Sequence, residues 1–437
     1  MHARVYAAHE HIGSLVSFGQ AAGICFPSDV TPAHKPGRTT LLTLLFTPYA
    51  APVLCAEGAV VPPPEAFTDD AAFLRAMDGL RPVLARTAGL GVLVALDRGL
   101  KHLYGSGLYH ALDDATGARL LSLNAAIAAK YDDYFRWSAS VMEQTQTVRV
   151  LKPVHPEYLL RAAQGEGAAE LAYTIPVARV DGLIGVYDDA QVLRFDVVER
   201  AAGLAVTDAE SLDALIAWFF GMIDRLNVCA IKQLQAYTRT LAVADVPREE
   251  LARALRAVLA ARGTGAPGRC RAEALIVQNY IQRRILEQAD ARALPYQIHT
   301  GMTTLRDAHP GLLEPLIRAY KNVRFVVLHA YPFLAEAAYL ARVYPNVWLD
   351  TSWLALQSPE ILRRALTEYI GMAPATRVTT SIDATCLEEY AGGLAVTRSV
   401  LNDVLAGKVA RGFLTVKEAC EMGARILGGN TAAVYRI

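Results

Sequence analysis

The chain has 437 residues, and its 43 basic and 43 acidic side chains cancel, leaving no formal charge at neutral pH. With no net charge and no long run of one sign, neither nucleic acid nor an anionic membrane surface is the expected partner; a small-molecule substrate is. The six cysteines are scattered without a CxxC pair, which fits thiols kept reduced in a cytoplasm better than a disulfide framework.

Arg4–Ala8 is the first strand candidate, and it runs directly into His9-Glu10-His11. No charged region with an apolar core and a cleavage site precedes it, so no signal peptide is expected and a cytoplasmic location is. The apolar stretch from Leu41 to Val61 is interrupted by Pro48, Pro52 and Glu57, and is read as a buried strand followed by a loop rather than a membrane span. Helical periodicity marks Ala71–Thr87, Ala111–Lys130 and Asp132–Gln144. Residues 14–146 therefore read as a helical, cap-like insertion after the first strand, too long and too patterned for a plain loop.

From Thr147 the pattern becomes regular. Strands are expected near Val148–Leu151, Ile175–Val180, Val228–Lys232, Tyr296–His299, Phe325–His329, Val347–Leu349 and Val378–Ile382. Helices are expected over Ser211–Leu226, Glu249–Arg262, Arg271–Ala289, Leu312–Tyr320, Leu334–Val343, Pro359–Ile370 and Glu388–Leu405. Eight strands alternating with helices describe an α/β protein of the (β/α)8, TIM-barrel type, with residues 1–437 as one domain; a doubly wound open sheet is the main alternative. The Gly/Pro/Arg run 263–269 joins two helices, where a phosphate loop would join a strand to a helix, so it reads as a connector.

The chemistry-bearing residues fall at strand ends. His9 and His11, two apart on a strand, point to one side and can offer two nitrogens to a divalent ion. His299 and His329 each end an apolar, β-branched run, and Asp383 ends the eighth strand, next to the first in a closed barrel. Each has a plainer reading: a hydrogen-bonded structural histidine, or an aspartate capping the next helix. Four histidines and an aspartate at the same strand ends are hard to account for that way together. His155, between Pro153 and Pro156, reads as a loop residue.

His9-Glu-His11, Gln297-Ile-His299-Thr-Gly301, Val327-Leu-His329-Ala-Tyr-Pro332, Tyr344-Pro-Asn-Val-Trp-Leu-Asp350 and Ser381-Ile-Asp383-Ala together resemble the amidohydrolase superfamily, in its amidohydrolase-related (amidohydrolase 2) branch. Lys232-Gln-Leu-Gln-Ala-Tyr237 is similar to a lysine-bearing segment in the amidohydrolase-like half of glutamine-synthetase-fused proteins. The resemblance is dense from about Asn227 to the C-terminus. It implies a metal-dependent barrel in which His9, His11, His299 and His329 hold or line a divalent-metal site, with zinc expected, and Asp383 is both ligand and proton carrier. One ion is favoured; a carbamylated Lys232 would bridge two. An uncarbamylated Lys232 would instead bind a substrate carboxylate or pair with an acidic neighbour, and Lys152 is a weaker candidate for either role. Relatives are frequently dimeric or larger, so the resemblance also carries a homo-oligomer as an expectation.

The family's acidic residue before HxH is replaced here by Ala7 and Ala8, which puts the orientation of these histidines in question. Tyr237, Gln297, Arg179 and Asp350 are candidates to support the site or contact substrate, with Trp353 and Tyr331 as an apolar wall. The activity implied is hydrolysis of a C–N (amide) bond by a metal-activated water, with Asp383 moving the proton and His299 or His329 helping to polarise the carbonyl. The alternative is nonoxidative decarboxylation of an aromatic acid, favoured by an aromatic-lined slot. Sugar-acid isomerisation and a non-catalytic barrel stand further off.

Overall fold

The computed structural model describes residues 3–12, 39–165, 171–185, 195–262 and 270–437. The connector at 263–269, Cys25 and the first part of the insertion lie outside the described residues. Eight strands, β1 (Val5–Ala7), β2 (Thr147–Val154), β3 (Thr174–Arg179), β4 (Ile231–Gln233), β5 (Pro295–Thr300), β6 (Arg324–His329), β7 (Val347–Asp350) and β8 (Val378–Thr379), pair in parallel and in sequence order. Just beyond the ladders, Ala8 N donates to Thr380 O, His11 N to Ala384 O and Asp383 N to His9 O. These bonds draw the ends of β8 and β1 together and bring the sheet to a nearly closed barrel.

Inward residues Ala8, Leu151, Val177, Ala230, Val326 and Leu328 fill the barrel with Val434 and Tyr435 of the C-terminal helix Asn430–Tyr435. The strands stay short because the interior is packed by side chains. Outside, helices such as Ala209–Arg225, Arg271–Arg292, Pro359–Met372 and Leu387–Ala410 cover the sheet. Asp208 starts the first of these with a capping box, exchanging bonds with Ser211.

The helices between β1 and β2 include Asp70–Thr87, Gly91–Tyr104, Ala118–Tyr131 and Tyr134–Gln144. Gly91–Tyr104 crosses Leu387–Ala410 so closely that a Cβ at Gly99 would overlap the Glu388 carbonyl oxygen, and one at Gly392 the Ala95 carbonyl oxygen. Among the described residues no single helix is long and apolar enough to cross a membrane.

Several local expectations are corrected. Leu41–Val61 is not a strand but contains two short helices, Leu41–Leu45 and Ala51–Ala56. Thr40 and Thr43 form a capping box that starts the first, and Pro52 sits in the first turn of the second. Ala111–Lys130 is broken, with Leu108–Leu112 and Ala118–Tyr131 flanking a turn. There Asp114 accepts from Thr116 N and Arg119 N, and Gly117 takes a φ of 74°. β8 is shorter than Val378–Ile382 because the Ile382 N–H is taken by Glu10 rather than by a ladder partner.

Candidate metal centre

All five residues singled out at the strand ends are buried and meet at the carboxyl end of the barrel. Nε2 of His9 and Nε2 of His11 each lie 3.2 Å from Asp383 Oδ1, and His329 Nε2 lies 3.8 Å from Asp383 Oδ2. The His299 ring stands 4.4 Å from that of His329. Alternation along the extended chain puts His9 and His11 on one side and sends Glu10 to the other. There its carboxylate accepts from Ile382 N at 2.7 Å and Ala384 N at 2.8 Å, gripping the residues on either side of Asp383. His329 and Asp383 both adopt left-handed backbone conformations, with φ of 66° and 64°. For such residues this costs on the order of 1–3 kcal/mol, a strain that surrounding structure must hold in place.

The hydrogen bonds fix which ring nitrogens carry protons. The Gln297 amide nitrogen donates to Ala8 O at 2.6 Å and to the Tyr435 hydroxyl at 2.8 Å. Its Oε1 must therefore face His9 Nδ1, 2.9 Å away, as acceptor. His9 Nδ1 is protonated, and its Nε2 presents a lone pair to the site. His329 Nδ1 lies 3.0 Å from the carbonyl oxygen of Ser352, which can only accept, so His329 Nε2 is likewise a lone pair. Among the described residues neither ring nitrogen of His299 has a hydrogen-bond partner.

Burial pushes His9, His299 and His329 toward the neutral form, His329 down to about 4. Burial also opposes charge on Asp383, but His9 and His11, when protonated, outweigh it and hold the carboxyl well below its ordinary range. Neutral imidazoles around an ionised carboxylate are the protonation states in which these groups bind cations. His9, His11 and Asp383 offer ligand atoms all within 4.8 Å of one another. Lone pairs of His9 Nε2 and Asp383 Oδ1 face each other with no proton between them, and the unpartnered His299 stands nearby, so the donor set fits a divalent ion.

Lys232, in β4, is fully buried with Nζ 3.0 Å from His9 Nε2. Tyr237 follows β4 on a 3-10 turn and packs its ring 4.6 Å from His299. Gln297 supplies the orientation of His9 that Ala7 and Ala8 cannot. Arg179, the last residue of β3, is turned to Asp181 at 3.1 Å, and Asp181 also accepts from Leu234 N at 2.6 Å, so this pair ties β3 to β4. Asp350 accepts from Ser352 N, Thr379 Oγ1 and Ser381 Oγ, bracing the loops that carry His329 and Asp383. Trp353 stands 5.6 Å from the His329 ring, with its indole N–H unpartnered. Lys152 is buried in β2, and His155 occupies the N-cap position of the helix Pro156–Ala163 without a side-chain capping bond. Tyr331 is half-buried in the loop after β6.

Sequence reasoning missed Tyr49. This insertion residue stacks 4.9 Å from Trp353, and burial, followed by the nearby Asp383 carboxylate, pushes its phenol well above the ordinary range. Nothing in the local pattern marks it. Ser352 was also missed, although its place two residues after Asp350 at the end of β7 was a usable signal.

A parallel (β/α)8 barrel with a buried His-His-Asp cluster at its carboxyl end is a barrel with a candidate metal site. Residues 182–379 match the family described as Amidohydrolase. The chain is 34% identical over 150 residues to protein fluG of Emericella nidulans, a match covering 33% of this chain and 17% of that protein. Its fold is similar to glucuronate isomerase from Caulobacter crescentus (16% identity, TM-score 0.72, covering 100% of this chain and 91% of the other). It is also similar to uronate isomerase from Thermotoga maritima (13%, 0.71, 99% and 94%) and to a structure described as a metal-dependent hydrolase from Lactobacillus casei (17%, 0.64, 100% and 96%).

Proposed function

We propose that this chain is a divalent-metal-dependent hydrolase that cleaves a C–N bond in a small amide, with zinc as the expected ion. The observation that carries this reading is the convergence of His9 Nε2, His11 Nε2 and an ionised Asp383, with His299 and His329 beside them. A divalent ion held there would supply Lewis acidity, lowering the pKa of water from about 15.7 toward 7 and polarising a carbonyl. His9, His11 and Asp383 would hold it. Asp383 takes the proton of the attacking water and returns it to the departing amine, while Tyr49 steadies the carboxylate through its hydroxyl. His299, with both nitrogens unpartnered, is placed to donate to the developing oxyanion. Tyr49, Tyr237 and Trp353 form apolar walls that exclude bulk water.

Those same rings favour a second reading, nonoxidative decarboxylation of an aromatic acid, since they offer flat faces beside the histidines. Metal analysis of purified protein, then screening of amides, lactones and hydroxybenzoates with and without chelator, tests both. Metal-dependent release of an amine supports hydrolysis, and metal-dependent loss of CO2 supports the second reading. Absence of bound metal under every loading condition sinks both.

A further inference from the structure

Beyond Tyr237 lies a second cavity of about 590 Å3, within the range of small-molecule sites. Its wall comes from the turn after β4, the loop after β5 and the start of the helix Arg271–Arg292, so it belongs to the same end of the barrel as His299. Tyr237 is common to both places, its ring 4.6 Å from His299 and part of the cavity wall.

The chemistry of this wall is set by Arg239, which is only 9% exposed. Its Nε donates to Thr240 O at 2.9 Å, and its Nη2 to Ala242 O at 2.8 Å and Asn279 Oδ1 at 2.7 Å. These acceptors are all neutral. Nη1 has no hydrogen-bond partner, and among the described residues no carboxylate pairs with the guanidinium. A buried guanidinium held only by neutral acceptors lacks both a countercharge and an acceptor for its remaining N–H groups. Arg271 adds a second cation at the exposed side of the wall, with Thr238 and Thr304 hydroxyls between. Asp307 is the opposing charge in the wall, and among the described residues it makes no ion pair with Arg239.

We propose that this cavity binds an oxyanion group of the substrate, a carboxylate or a phosphate, through Arg239 and Arg271. Anion binding stands on the cavity and its arginines alone. That the anion is a substrate's second group, with the reactive bond across Tyr237, rests on the metal centre being catalytic. On Arg239 the Nη1 group carries the N–H donors left for such a group, and a low-dielectric wall strengthens the contact.

Calorimetric titration of the full chain with glutarate and with inorganic phosphate tests this, using metal-loaded and chelator-treated protein. At least one probe is expected to bind both forms, with affinity reduced at least about tenfold by Arg239→Gln and several-fold by Arg271→Ala. Tighter binding of glutarate assigns the site to carboxylates, and tighter binding of phosphate to phosphoryl groups. Arg271 is exposed, so its variant keeps the test decisive if Arg239→Gln fails to fold. Binding equal in wild type and variants, lost on chelation, or absent altogether overturns the proposal. Anion binding without any metal-dependent turnover would instead leave this site standing and remove the hydrolase reading. Turnover that is indifferent to substrate charge, with KM unchanged in Arg239→Gln, would do the reverse.

Discussion

Gln297→Leu isolates the control of His9. In the wild type, one amide satisfies three buried groups: the His9 Nδ1–H, the Ala8 carbonyl and the Tyr435 hydroxyl. Leucine fills similar volume and satisfies none of them. Each buried polar group left unpaired costs about 1–3 kcal/mol, so the destabilisation should reach at least about 3 kcal/mol in denaturant unfolding. Freed from its acceptor, His9 can also turn or change tautomer, and loss of such an outer partner typically weakens metal binding by about 10–100-fold. Chelator competition on the folded fraction measures that term separately. Gln297→Glu sharpens the test, since a carboxylate still accepts from His9 Nδ1 but faces the Ala8 oxygen with no proton. It should lose stability yet keep most of the metal affinity. Tyr435→Phe should cost about 1 kcal/mol and leave metal binding unchanged. Folded Gln297→Leu protein binding metal within twofold of wild type would refute the assigned tautomer and the ligand role of His9.

Tyr49→Phe removes a hydroxyl placed near the Asp383 carboxylate, and turnover of the substrate found by screening should fall about 10–100-fold with metal content retained; unchanged kcat would exclude a role for the hydroxyl. Gly392→Ala places a methyl group against the Ala95 carbonyl, and the forced separation of two helices should cost about 1–3 kcal/mol or more in a urea titration. Gly371→Ala, in a helix with open space around it, should be neutral or slightly stabilising, and equal effects at both sites would contradict the packing argument. For metal-free protein, His329 binds protons more readily unfolded, near 6.5, than folded, near 4. Stability should thus be full above pH 6.5 and fall on acidification toward pH 4, by on the order of 3 kcal/mol from this histidine alone, with His9 and His299 acting in the same direction. A flat urea midpoint between pH 7 and 4.5 would show that the imidazoles are not held neutral.

The barrel was legible because its strands are short apolar runs with turn residues behind them, and the regular alternation with helices left few topologies. His9, His11, His299, His329 and Asp383 could be placed at one end by that count alone. The insertion was harder to read. Leu41–Leu45 is apolar at every position except Thr43, so no period separates a buried helix from a buried strand, and the capping threonines decide it locally. Gly91–Tyr104 was not anticipated; Gly99 lets another helix approach there. Tyr49 had no pattern to mark it, because its place beside Asp383 is created by tertiary packing. Proton positions on His9 and His329 were equally invisible, since they depend on an amide and a carbonyl from other strands.

The seam where β8 meets β1 explains why the insertion and the metal centre should act as one unit. Glu10 grips the backbone on both sides of Asp383. A few residues on, Glu389 accepts from Thr385 N, from Thr385 Oγ1 and, at 2.6 Å, from Thr47 Oγ1 of the insertion. Glu388 accepts from the hydroxyls of Tyr104 and Tyr131, each at 2.7 Å and both insertion residues. Burial pushes all three carboxyls up, so each is a costly group retained where it joins separate parts of the chain. Tyr49 lies two residues beyond Thr47, and therefore inherits its position from the loop that carries Asp383. A change in the insertion that shifts Thr47 or Tyr104 moves the Tyr49 ring beside Asp383, without touching a single candidate ligand.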